Sequence, residues 1–167
     1  MWDIQFLQLF ERGQQLHADG RRDFENFYDS NDRAFLASIG YQEREFYDFI
    51  EDLNNEQAPA ATTALLIAAV RRDYFLTVQR GQTSTDILQR DDLPTFGDTL
   101  DGIAYLPRIL AKARAKLRGE LDPDLMYCCG GDRNFLLQNG DKHPADFLRH
   151  VWAAGDDDAK VAAYVKS

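Results

Sequence analysis

Two stretches a hundred positions apart, NDRAFLASIG at 31–40 and GDRNFLLQNG at 131–140, share Asp, Arg, Phe, Leu and Gly in register. Downstream, Phe46 and Ile50 fall over Phe147 and Val151 after a one-residue insertion. Upstream, Phe6, Leu7, Phe10, Gly20, Asp23 and Tyr28 fall over Tyr105, Leu106, Ile109, Gly119, Asp122 and Tyr127 after a one-residue deletion. Self-similarity at a fixed offset is the signature of a repeated supersecondary unit. It predicts two similar multi-helix units, with the end of the first, PAATTALLIAAV, corresponding to the shorter closing segment DAKVAAYV. The alternative is a pair of unrelated helical hairpins with similar capping chemistry.

The periodicity is helical throughout, so the fold class is all-α. Ile4, Leu7, Phe10 and Leu16 fall at helical spacing ahead of Gly20. A second helix starts near Asn31 or Asp32 and carries Phe35, Leu36 and Ile39, and a third carries Phe46, Phe49, Ile50 and Leu53. Residues 59–81, PAATTALLIAAVRRDYFLTVQRG, are apolar nearly all round in the middle, which predicts a buried central helix. In the second half Ile103, Leu106, Leu110, Ala113 and Leu117 recur at spacings of 3, 4, 3 and 4, with Pro107 in the first turn. Further helices fit 132–139, 144–154 and 157–166, the last beginning with Asp156, Asp157 and Asp158 at its positive end. Between the halves, GQTSTDILQRDDLPTFGD mixes Gly, Ser, Thr, Asp and Pro with few apolar residues. The expected organisation is an N-terminal unit over 1–81, a linker over 82–97 and a C-terminal unit over 98–167, together one compact body.

Several function classes are disfavoured. A net charge of −9 argues against a general nucleic-acid or anionic-membrane surface. The longest apolar run, ALLIAAV, is far too short to span a bilayer, and MWDIQFLQLFERGQQLH has neither the basic lead nor the cleavage site of a secretory signal. With two cysteines, a reducing cytoplasm is the expected compartment.

The candidate sites gather in the second half. In LPRILAKARAKLRGEL, Arg108, Lys112 and Lys116 form an i, i+4 row with Arg114 and Arg118 on the other flank, five of the 19 basic residues in one helix. The first copy has no such row, so it is read either as a solvated face or as a docking face for an acidic protein or a small anionic molecule. In MYCCGGDRNFL, Gly130 and Gly131 precede a helix and let backbone amides approach an anion, with Arg133 beside them. Asp132 and Arg133 recur as Asp32 and Arg33, so the aspartate reads as a helix cap. Cys128 and Cys129 stand where the first copy has Asp29 and Ser30 and are either small fillers of a tight turn or reactive thiols. His17, His143 and His150 show no ligand spacing, and no metal or cofactor is predicted.

The run LPRILAKARAKLRGEL, the tyrosine ahead of DRNFL, and the acidic start of GDDDAKVAAYVK together resemble the bacterial family catalogued as domain of unknown function 5069, over roughly residues 98–166. The resemblance implies a small soluble bacterial protein and carries no activity, cofactor or catalytic residue. Two functional expectations follow. The first is a binding or interaction module using Arg108, Lys112, Lys116, Gly130, Gly131 and Arg133. The alternative is a small enzyme or thiol-redox protein using Cys128 or Cys129.

Overall fold

A computed structural model describes residues 1–167. Eight α-helices and two short 3-10 turns carry 63% of the chain, with a single two-stranded hairpin, so the fold is predominantly all-α. The chain divides into two compact units, Met1–Thr83 and Ser84–Ser167.

The first unit consists of α1 (Trp2–Ala18), α2 (Ser30–Ser38), α3 (Glu43–Glu56) and α4 (Ala61–Thr77). Its core is aromatic. Phe46 on α3 meets Phe6 and Phe10 of α1 edge-on at 5.0 and 5.6 Å, and Tyr28 and Tyr41 close around it at 6.2 and 5.9 Å. Edge-to-face pairs add to the burial that drives the packing. α1 turns a different face inward from the one its spacing suggests: Phe6, Leu9, Phe10, Gly13 and His17 are buried, whereas Ile4 and Leu7 are exposed. Large rings on α3 select the face carrying Phe6 and Phe10. α4 also departs from the expectation of a central helix covered all round. Ala64, Ile67, Ala68, Val70 and Phe75 are buried, but Leu66 and Leu76 are exposed, so it lies on the surface of its unit with one face packed.

α2 begins with a capping box. The Asp29 carboxylate accepts from the amides of Asn31 and Asp32 at 2.8 and 2.9 Å, and the Asp32 carboxylate accepts from the Asp29 amide at 2.9 Å. Asp32 is therefore the third helical residue, and the cap is Asp29. Asp32 also pairs with Arg12.

The second unit consists of the hairpin β1 (Thr99–Leu100) and β2 (Ile103–Ala104), then α5 (Leu106–Arg118), α6 (Gly130–Gln138), α7 (Pro144–Ala154) and α8 (Asp158–Lys166). Ile103, expected on the α5 stripe, sits in β2 instead. Asp101 and Gly102 both take positive φ, 51° and 77°, which turns the chain back on itself before the helix begins. From Ser84 onward, the stretch expected to be a linker belongs to this unit. Leu88 forms a parallel bridge with Leu121, the Arg90 guanidinium donates to the Asp124 carbonyl at 2.6 Å, and Leu93 is buried. Backbone pairing at Leu88, the Arg90 hydrogen bond and the buried Leu93 tie it down.

Two predictions follow from the first unit. Gly40 has φ +68°, and a Cβ there would lie 2.5 Å from Cγ of Phe75. G40A is expected to destabilise the unit by about 1–3 kcal/mol in urea unfolding, combining backbone strain with overpacking. Asp48 is buried, and desolvation pushes its carboxyl from 3.8 up to about 7, with Glu45, Glu51 and Asp52 adding to the rise against Arg44, its ion-pair partner at 3.0 Å. A group raised in the folded state stabilises fully below its unfolded value and loses that contribution as pH rises through the folded value. The stability of the wild type relative to D48N should therefore fall from about pH 4 to about pH 7 and then level off, measured by thermal unfolding of both proteins across that range.

Candidate functional site

α5 and α6 meet around one aspartate. α5 starts after the hairpin at Tyr105, which takes φ +71°, and Pro107 occupies its first turn. α6 starts after Cys129, preceded by Cys128 at φ +72°. Non-glycine residues held at positive φ are strained and tend to mark functional positions. Here two of them flank the same cluster.

At the centre, Asp132 is fully buried. One of its oxygens accepts from the Tyr105 hydroxyl at 2.8 Å. The other accepts from the Lys112 ammonium at 2.6 Å and from the Cys128 amide at 2.8 Å. Lys112 is 3% exposed and donates as well to Sγ of Cys129 at 3.2 Å. Charges inside a protein persist only when paired and hydrogen-bonded, and each of these is. Burial, reinforced by the Asp132 carboxylate, pushes the Tyr105 phenol far above its ordinary value, so it remains a donor. Burial likewise pushes the Cys128 thiol up to about 12, with Asp132 contributing. Cys128 is wholly enclosed and protonated, whereas Cys129 is half-buried.

Cys129 occupies the N-cap of α6, and its side chain caps nothing. The first amides of a helix have no partner within it, and Gly130 and Gly131, which carry them here, are exposed. Gly131 is also the only size that fits. A Cβ on it would lie 2.8 Å from the Tyr105 hydroxyl and 3.9 Å from Sγ of Cys129. Beside this point runs a groove of about 630 Å³ lined by Phe96, Ile103, Tyr105, Asn134 and Phe135 among others. Phe96 is 68% exposed, stacks on Tyr105 at 5.9 Å, and carries the Arg108 guanidinium 4.3 Å over its ring.

The structure redistributes the basic row of α5. Lys112 and Lys116 are buried, so they do not form a solvent-facing strip. The positions read as a charged row alternate with the apolar stripe closely enough that α5, packed on both flanks, encloses them. Arg108 donates to the Pro94 carbonyl at 2.8 Å, Arg114 pairs with Asp158 at 2.6 Å, and Arg118 pairs with Glu120 at 3.1 Å. Arg133 donates to the Cys128 carbonyl at 2.8 Å, which buttresses the turn rather than presenting a free cation. Lys112, Cys129, Gly130 and Gly131 are brought together, while Lys116 and Cys128 lie inside. Asp132 is not the cap it was read as. It is the third helical residue and the hub of the cluster. In the sequence Tyr105 stands out only as the repeat counterpart of Phe6, and nothing there marks it or Phe96 as part of a site.

The histidines are dispersed. Nδ1 of His143 accepts from the Ala145 amide at the start of α7, His150 stacks on Tyr164, and His17 contacts Asn54 in the first unit. No group of three or more His, Cys, Asp or Glu side chains is arranged to hold a metal ion.

The buried pair sets a clear expectation. Removing either charge leaves the other unpaired inside, so K112M and D132N should each cost roughly 3–5 kcal/mol, and the double variant clearly less than the sum of the two, in a double-mutant cycle read by chemical unfolding.

No curated protein and no solved structure matches the chain. A family model does, and its match spans Tyr105, Lys112, Cys129 and Asp132. Residues 95–167, the C-terminal half of the chain, match the family described as Domain of unknown function (DUF5069).

Proposed function

We propose that the second unit is a binding module for a small anionic ligand, taken at the N-terminal end of α6 beside Cys129. The observation that carries this reading is the open helix end. In the first unit Asp29 fills its own helix end with a carboxylate. At the N-cap of α6 stands Cys129, whose side chain accepts from no helix amide, and the Gly130 and Gly131 that follow it are exposed. Such amides, aligned with the helix dipole, favour an anion. The neighbouring groove, with the rings of Phe96 and Phe135 in its wall, suits a ligand with a planar or apolar body behind its anionic head. Docking of an acidic protein along α5 has less support, because Lys112 and Lys116 are buried and Arg114 and Arg118 are paired within the unit.

The comparison of α2 with α6 rests on reading the two units as duplicated copies. Supporting that, Tyr28 donates to the Glu43 carbonyl and Tyr127 to the Pro144 carbonyl, both at 2.7 Å, and both chain segments enter the following helix from these anchors. Asp32 and Asp132 occupy the same third helical position, and each takes a cation from the first helix of its unit, Arg12 and Lys112. No helix is long and apolar enough to cross a membrane, and two free cysteines suit a bacterial cytoplasm.

The test is an amide NMR titration with inorganic phosphate and a set of small carboxylates. Binding at this point shifts the Gly130 and Gly131 amides first. C129D, which supplies the carboxylate that Asp29 supplies in the first unit, should abolish those shifts and stabilise the helix start by about 0.5–2 kcal/mol. Equal binding by C129D, or the absence of any shift at these glycines, would refute the reading.

A further inference from the structure

The contact between Lys112 and Cys129 puts an amine nitrogen 3.2 Å from a thiol sulfur. That separation needs to close by only a few tenths of an ångström for a single oxygen atom to bridge the two. We propose that Lys112 and Cys129 form a redox-modification site, in which dioxygen links Nζ to Sγ through one oxygen atom as a reversible N–O–S crosslink between α5 and α6. This inference does not depend on the anion-binding reading.

Three features of the site favour the step. Asp132, 2.6 Å from Nζ, is placed to take the proton that the ammonium must lose before its nitrogen can react. Lys112 is 3% exposed, so solutes have little access to the nitrogen side of the pair, while half-buried Cys129 remains open to a molecule as small as dioxygen. An oxidised Cys129 then meets the neighbouring amine before it meets an external thiol, which diverts it from the ordinary ladder of sulfur oxidation. Gly131 keeps the space beside Sγ and the Tyr105 hydroxyl free of a side chain.

The balance is complete. One ammonium, one thiol, one Asp132 carboxylate and one dioxygen give one N–O–S bridge, one protonated Asp132 and one water. The S–H bond, two N–H bonds and the O–O bond of dioxygen break, and one S–O, one O–N and three O–H bonds form. One nitrogen-borne proton goes to Asp132. The other nitrogen-borne hydrogen and the thiol hydrogen leave with the second oxygen atom as water. Sulfur and nitrogen each surrender two electrons, the four that dioxygen accepts. Lys112 and Asp132 both become neutral, so the buried site holds no unpaired charge in either state.

The experiment uses the full chain, kept either under dithiothreitol without oxygen or in air, then digested with trypsin and analysed by mass spectrometry. The expected product joins the peptide of Lys112 to that of Cys129, with one oxygen more and two hydrogens fewer than the separate peptides. Cleavage after Lys112 is lost, and dithiothreitol restores both peptides. C129S, which leaves the Lys112–Asp132 pair in place, should give no linked product. K112R keeps a cation opposite Asp132 but lacks the amine and should give none either. If K112R does not fold, the linked peptide of the wild type and its absence in C129S decide the matter. A sulfenic or sulfinic acid at Cys129, a Cys128–Cys129 disulfide, a disulfide between two chains, or an unchanged thiol in air, each with Lys112 free, would overturn the proposal.

Discussion

The ion pair between Lys112 and Asp132 is the constraint on which the second unit is built. A fully buried carboxylate costs several kcal/mol to dehydrate, and it is tolerated only if its lone pairs are met by donors that cannot drift. Here those donors come from three parts of the chain: the hairpin end at Tyr105, the middle of α5 at Lys112, and the turn before α6 at Cys128. Each donor dictates a local conformation. Tyr105 and Cys128 both adopt positive φ, and Gly131 has to lack a side chain. The electrostatic demand of one carboxylate is met by backbone strain at two residues and by the smallest residue at a third.

The first unit solves the same layout with different physics. Asp32 also sits at the third position of its helix and also meets a cation, but Arg12 is nearly half exposed and the helix end is closed by Asp29. Its cohesion comes from the rings clustered on Phe46. One unit is held by apolar packing and leaves its polar helix start at the surface. The other carries its polar groups inward, where solvent does not compete with them and where a thiol lies against an amine.

Much of the architecture was legible in the sequence because it follows from residue type and spacing. The α5 stripe, the glycine-ended helices and the match in the second half are all of that kind. Legibility failed where tertiary partners decide. The spacing of Ile4, Leu7 and Phe10 is as helical as that of Phe6, Leu9 and Phe10, and only the rings of α3 choose between them. The Asp101-Gly102 pair is a turn signal, and reading it would have moved Ile103 from helix to strand. Lysines at an i, i+4 spacing look like a solvated face, since lysine is rarely buried without a partner. The partner of Lys112 lies twenty residues away, at an aspartate whose recurrence as Asp32 made it look like a cap. Half of the cluster was thus in view, as Lys112, Cys129, Gly130 and Gly131. Tyr105 and the hub role of Asp132 are properties of the fold alone.

The closeness of Gly131 to Tyr105 has an evolutionary consequence. With a tyrosine at 105, any side chain at 131 presses on the hydroxyl that Asp132 needs, so neither position is free to drift while the other stays fixed. Loss of the hydroxyl, as in a phenylalanine, would open room for alanine at 131 and at the same time leave one oxygen of Asp132 without its donor. The two sites are therefore tied as a pair, and a lineage that alters one inherits pressure on the other and on the aspartate between them.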